Sequence, residues 1–207
     1  RIFDIIQTPT TLTEHRKILE STQILDSMEL NAKKYYTFLP RPVVVITTIS
    51  ADGKVNAAPF SFNTPVSFSP PLYGFSCNPK HDTWANIQET EEFVVNVAGC
   101  DLGSVMHILE QDFPRGVNEL EKAGLEELPS KTVKPPRVAK AIAWVECKLH
   151  SSYEIGDHIW VVGKVSCAEA REGCWDGVID ASRALFHISG EYFAQEAKLT
   201  KYRRARK

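Results

Sequence analysis

The chain has 207 residues, 43% of them hydrophobic and 24% charged, with a formal net charge of −2 and a sequence pI near 6.3. That length suits one domain with a sizeable core, and the near-neutral charge argues against a nucleic-acid surface, which usually shows a basic patch. No apolar run is long enough to cross a bilayer, and five cysteines without a C-x-x-C pair argue against a disulfide framework or a zinc site, so reduced thiols in a cytoplasm are expected.

Residues 1–27 read as an amino-terminal extension, helical in part. A helix is expected over 13–30, with Thr13 as its cap and Ile18, Leu19, Thr22 and Leu25 on one side. Strand signals follow. RPVVVITTIS (41–50) is rich in β-branched residues, ADGK (51–54) carries the Asp52-Gly53 turn signal, and VNAAPFSF (55–62) is the return strand. Pro59 cannot donate a ladder hydrogen bond, so that strand lies at an edge or carries a bulge. LYGFSC (72–77) is a further strand. NPKHDTWANIQETEE then starts a short helix, with Asp82 or Thr83 as cap and Trp84 and Ile87 facing the core.

FVVNV (93–97) is a strand. DLGSVMHILEQ is a helix with Asp101 as cap and Leu102, Val105, Met106 and Leu109 on one face. NELEKAG (118–124) is a short helix ended by Gly124, and a Pro-rich extended connection runs to about Arg137. AIAWVECKLHSSYEI (141–155) alternates, with Ala141, Ala143, Val145, Cys147 and Leu149 on one face. Gly156-Asp157 turns the chain and HIWVVGKVSCAEA (158–170) returns. ALFHIS and EYF supply a last strand and its flank, and the carboxyl end, including KYRRARK, reads as a solvated basic tail. Antiparallel strands with hairpin turns and a few helices predict a mainly β chain, folded as a closed or nearly closed barrel with flanking α.

Three stretches carry candidate chemistry. NAAPFSFN (56–63) sets small and amide-bearing residues among aromatics. Asn56, Phe60 and Phe62 share one face and can bracket a planar ring, with Ala58 leaving room. A slip of the alternation around Pro59 would free backbone groups of Ser61, Phe62 and Asn63 to read a heterocycle edge. NPKHDTW places Lys80 and the Thr83 hydroxyl at the start of a helix, where oriented N–H groups and the dipole favour a phosphate, although Asp82 opposes an anion unless it faces away. GDHIWVVG places His158 at a strand start after a tight turn, suited to a ligand hydrogen bond or a proton shift near neutral pH; His187 in ALFHIS is similar. Taken one at a time, each stretch is better read as structure: an aromatic core strand, a capped surface helix, a surface histidine. The dinucleotide G-x-G-x-x-G, the phosphate-loop, the H-E-x-x-H and the G-x-S-x-G patterns are all missing. Chemistry here would therefore be carried by a cofactor.

Taken together, RPVVVITTISADGKVNAAPFSFNTPVSFSPPLYGFS, KHDTWANIQETEEFVVNV and GDHIWVVGKV, in this order and spacing, resemble the flavin reductase-like, FMN-binding split-barrel family. The resemblance covers roughly residues 28–193. It implies a Greek-key-like antiparallel split β-barrel over 28–195, with a basic tail at 196–207, and a homodimer with FMN near the subunit interface. Carried over by residue, it implies Asn56, Ser61, Phe62 and Asn63 at the flavin ring. Ser76, Lys80 and Thr83 go to the ribityl and phosphate end, His158 goes near the ring as the catalytic group, and Tyr192 is a further contact. A metal is not implied. The activity implied is hydride transfer from NADH or NADPH to FMN in a cytoplasmic flavin reductase. A flavoredoxin-like carrier reduced by a redox protein partner and a non-redox ligand-binding barrel are the rivals. Cys77 and His81 depart from the family pattern: the first suits a buried inert thiol, the second a pH-dependent phosphate contact or no role.

Overall fold

A computed structural model describes residues 27–202. The chain divides into two units, ending at Tyr35 and beginning at Tyr36. In the first, residues 27–30 are not helical, and the rest of the helix expected over 13–30 lies outside the described residues. A 3-10 helix is assigned to Ala32–Phe38, and Asn31 Oδ1 accepts from the Lys33 amide at 2.9 Å. The fold and site lie in the second unit.

Its strands begin with β1 (Arg41–Pro42) and β2 (Val44–Ile49). Ser50 and Lys54 close the turn, Gly53 takes the left-handed conformation (φ +85°) that favours glycine, and β3 (Val55–Phe60) returns. Then come β4 (Asn63–Phe68), β5 (Pro71–Cys77), helix α1 (Asp82–Thr90) and β6 (Glu92–Val97). A 3-10 helix (Cys100–Val105) leads into α2 (Met106–Leu109) and α3 (Glu119–Lys122). The rest comprises β7 (Glu127–Leu128), β8 (Arg137–Val138), the long hairpin β9 (Ala143–Ile155) and β10 (His158–Ala170), and finally β11 (Phe186–Ser189) and β12 (Tyr192–Ala194).

Seven strands form one antiparallel sheet in the order β3-β2-β6-β9-β10-β5-β4, flanked by a small β1-β11-β12 sheet and the β7-β8 pair. β3 is an edge, as Pro59 requires. The alternative of a bulge does not occur: the β2–β3 register runs unbroken from Val44↔Phe60 to Ile49↔Val55, because Pro59 turns its missing donor away from β2. The sheet curls until Phe60 of β3 meets Phe75 of β5 edge-on at 5.0 Å, and Phe75 in turn meets Phe93 of β6 at 5.3 Å. Gly163 of β10 lies against this cluster; a Cβ there would fall 2.4 Å from the Phe93 ring. Glycine lets the strands close at that point.

Both faces of the central strands are covered. Val44, Ile46, Phe75, Phe93, Val95, Cys147 and Val161 fill the barrel, joined by Ile87 of α1. Val43, Val45, Ala57, Val94 and Trp144 point outward and are buried by Leu102, Met106, Leu109 and Leu120. This explains the continuous VVVI run. It also revises the single apolar face expected of 141–155. Residues 145, 147 and 149 do share the barrel face, but the opposite face carries buried Trp144 and a fully buried Glu146.

The helix caps differ from expectation. Neither Asp82 nor Thr83 caps α1: His81 holds the N-cap position and makes no side-chain capping bond. Asp101 lies inside its 3-10 helix, which starts after Gly99. At α3 the Asn118 side chain accepts from the Leu120 amide, an ordinary cap.

Candidate functional site

β3, having no neighbour on one side, leaves room for a cavity. Its volume is about 530 Å³, and its walls come from three places. β3 supplies Asn56, Ala58 and Pro59, the α1 approach supplies Asn78, Lys80, His81, Asp82 and Thr83, and the segment after α2 supplies residues 109–113, with Glu119 from α3.

The polar floor is built by neighbouring strands. Asn56 is buried, and its Nδ2 donates to Thr48 Oγ1 (3.3 Å) and to Thr83 Oγ1 (3.1 Å). Asn86 Nδ2 donates to the same Thr48 hydroxyl (3.1 Å). These bonds fasten the first turn of α1 to the sheet. They also fix the Thr83 oxygen as an acceptor and leave its hydrogen to donate elsewhere. No side chain caps α1; the Trp84 amide donates to the His81 carbonyl at 3.0 Å, and the two residues before it, Asp82 and Thr83, line the same cavity as Lys80. A cation, a hydroxyl donor and oriented amides thus converge, a donor set that fits a phosphate.

Carboxylates line the cavity too, and two of them are engaged. Glu119 Oε2 accepts from the Ala57 amide at 2.8 Å on the free side of β3, and burial raises its pKa above the ordinary carboxylate value. Asp82 pairs with Arg115. Burial lowers the pKa of His81, opposed by Asp112 and Asp82 and reinforced by the neighbouring His158. His158 opens β10 with Nδ1 2.6 Å from Asp157 Oδ1.

Of the predicted site residues, the cavity gathers Asn56, Lys80 and Thr83. Ser61, Phe62, Asn63, Ser76, His158 and Tyr192 are not among its lining residues. Phe60, expected to bracket a ring, is buried in the barrel core instead. Asn63 spends its side chain locally: Nδ2 donates to the Pro42 and Phe60 carbonyls, and Oδ1 accepts from Tyr73. Ser76 pairs with Trp160 across β5–β10, and its amide donates to the Phe62 carbonyl at 2.8 Å. Tyr192 is largely exposed on β12.

The sequence of residues 36–192 matches the family described as "Flavin reductase like domain". The chain belongs to this family. It is 32% identical to a flavin reductase from Pseudomonas putida over 130 residues, covering 61% of this chain and 71% of that one. Two solved structures share the fold. One is a split-barrel protein from Shewanella frigidimarina, with TM-score 0.77, 18% identity and coverage of 85% of this chain and 94% of that one. The other is an FMN-binding protein from Thermus thermophilus, with TM-score 0.74, 24% identity and coverage of 86% and 98%. The mainly β, split-barrel fold expected from the sequence is therefore the fold of this flavin reductase-like chain.

Within this family member, Ser61 and Phe62 belong to a second cluster beside the cavity, organised by Arg41. Arg41 Nε lies 3.3 Å from Ser61 Oγ, and Nη2 lies 2.8 Å from the Ile188 carbonyl and 3.3 Å from His187 Nδ1. The guanidinium also stacks over Phe62 at 5.3 Å and Tyr36 at 5.7 Å. His187 Nε2 is 3.1 Å from the Gly190 carbonyl, so Nε2 carries the hydrogen and Nδ1 accepts from Arg41 and Ser61. This hub ties the small sheet to the end of β3. Sequence reasoning missed it, as it missed Glu119 and Arg115. Arg41, Ser61 with Phe62, and His187 with Ile188 come from three segments far apart in the chain, and only the hydrophobic frame brings them together. Cys77 is fully buried, with its thiol pushed up to about 12 by burial, the environment of an inert thiol. Among the described residues, no helix is long and apolar enough to cross a membrane.

Proposed function

We propose that the chain binds FMN and acts as an NAD(P)H-dependent flavin reductase. The observation that carries this reading is the uncapped start of α1 opening into the cavity beside Lys80 and Thr83, in a chain of the flavin reductase-like family. Lys80, the Thr83 hydroxyl and the first-turn amides would hold the phosphate. The exposed edge of β3, with Ala58 and Pro59 presenting little bulk, would face the flavin ring, and Ser61, Phe62, Asn63 and Ser76 would border it. Acceptors on the opposite wall, among them Gln111 and Asp112, suit the hydroxyls of a ribityl chain. The FMN-binding relative from Thermus thermophilus supports this choice of flavin.

When bound, FMN would supply the redox chemistry by accepting a hydride from nicotinamide. The chain's own contribution would be to fix the ligand in place and exclude water, with His158 as the candidate group acting near the ring. His158→Ala should slow flavin reduction at least tenfold, within the range of one positioned acid or base, while FMN affinity changes less than twofold. Stopped-flow reduction and a binding titration separate the two; equal losses would remove His158 from the chemistry.

The reading is tested as a whole by saturating the protein with FMN, removing oxygen and adding NADH or NADPH. Rapid bleaching of the flavin band supports a reductase. Bound flavin that stays oxidised would favour a carrier waiting for a protein donor.

The homodimer belongs to the same proposal. β4 is the other edge of the sheet, and Val66 and Phe68 on it are exposed, the latter by 97%, with Tyr153 and Ile155 exposed at the tip of β9. Exposed apolar side chains along an open sheet edge suit pairing with a second copy of the chain. Light scattering should give twice the 23.2 kDa chain mass; the single-chain mass would exclude the dimer.

A further inference from the structure

Asp82 stands in the first turn of α1 and lines the cavity, where a free carboxylate would repel a phosphate held by Lys80 and Thr83. The structure shows what restrains it. Arg115 Nη1 lies 3.4 Å from Asp82 Oδ1, and Nη2 reaches Asn86 Oδ1 at 3.2 Å and Glu89 Oε1 at 2.8 Å. Residues 82, 86 and 89 lie along one face of the helix, so a single guanidinium clasps α1 over two turns. A lysine, with one compact ammonium, would not span three such acceptors. Glu89 is fixed in turn, because its other oxygen accepts from the Ala51 amide at 3.0 Å.

Arg115 is well placed to act on the ligand without touching it. It arrives from the segment that follows the cavity wall at 109–113. It also lines a second cavity of about 180 Å³, which shares Asn56 and Asp82 with the first. Gly116 beside it has φ +87°, and a Cβ there would meet Lys54 Cδ at 2.8 Å, so the turn that delivers Arg115 depends on glycine. The Asp82 and Arg115 side chains are 29% and 46% exposed, close enough to the protein for their charges to be only partly screened.

We propose that Arg115 is a positioning residue for a phosphate-bearing ligand: it turns the Asp82 carboxylate away from the anion and keeps the start of α1 electropositive. This rests on the flavin reading above and adds to it the reason that an acidic residue is tolerated at a phosphate site. The ligand consequence is selective. A flavin with a phosphate depends on Arg115, and the same ring and ribityl chain without the phosphate does not.

The test is a titration of FMN and of riboflavin by flavin fluorescence at low salt. It uses the full chain, Arg115→Gln, and the double variant Arg115→Gln with Asp82→Asn, each checked by thermal melting. Arg115→Gln should weaken FMN about tenfold and riboflavin less than twofold, and Asp82→Asn should recover most of the lost FMN affinity. Equal loss for both flavins would mean that Arg115 only shapes the loop and would overturn the proposal, as would failure of Asp82→Asn to rescue. If the unaltered chain binds both flavins equally, the phosphate role falls while the flavin reading stands. If it binds neither, the flavin reading falls and the proposal with it.

Discussion

Glu146→Gln should destabilise the protein by about 3–5 kcal/mol, the usual cost of removing one partner from a buried ion pair. Glu146 is fully buried on β9 and Arg137 nearly so on β8. Arg137 Nε donates to Glu146 Oε1 at 2.7 Å, and the Lys131 amide (2.8 Å) and the Thr132 amide and hydroxyl (2.6 Å each) complete the carboxylate's shell. The guanidinium also stacks on Trp144 at 5.5 Å. An amide cannot accept all of these donors, and it leaves Arg137 with only Glu169 to balance it. A loss of that size should lower the melting temperature by on the order of 10 °C in a chain of this length. Glu169→Gln, at a more exposed carboxylate screened by solvent, should cost far less. Equal losses at the two positions would show that burial is not what matters.

The same pair predicts a pH signature. Burial by itself raises the Glu146 pKa, but the hydrogen bonds from Thr132, Lys131 and Arg137 outweigh it and hold the carboxyl below its ordinary 4.5. The folded state therefore binds this proton less readily than the unfolded chain. The stabilisation is fully present above about pH 4.5 and is lost as pH falls through the lower folded value. In Glu146→Gln that component of the acid-induced loss should disappear from melting curves recorded against pH.

Lys80→Met should weaken FMN binding about tenfold or more and riboflavin binding less than twofold. A hydrogen bond to a charged group contributes about 1.5–3 kcal/mol, and the exposed position of Lys80 places it toward the lower end. The FMN affinity of the unaltered chain should fall with added salt, and that dependence should flatten in the variant. A variant that loses both flavins alike would show Lys80 supporting the fold of the α1 approach and not the phosphate.

Much of the fold was legible because it is written locally. The Asp52-Gly53 turn, the β-branched run of β2 and the Gly156-Asp157 reversal each depend on a few adjacent residues. Pro59 marked β3 as an edge or a bulged strand because a missing N–H has no place in a regular central ladder, and the unbroken β2–β3 register decided for the edge. Lys80 and Thr83 could be set together at one helix start because only two residues separate them.

The sequence by itself determined most of the long strands and the family, while β4 (Asn63–Phe68) was not legible as a strand. Tertiary structure decided the remainder. The Asn63 side chain is engaged by Tyr73 and Pro42, partners ten and twenty-one residues away that its own stretch does not reveal. Phe60 looked like a ring contact and became core, because the curl of the sheet carries Phe75 to its face. Asp82 looked like a cap that opposed an anion, and Arg115, thirty-three residues on, lies 3.4 Å from its carboxylate. Glu146 sat in an alternating strand whose polar face should have met water, but helices and loops cover both faces of that sheet. In each case the partner is brought close by burial of apolar surface elsewhere, a non-directional force that leaves no local pattern to read.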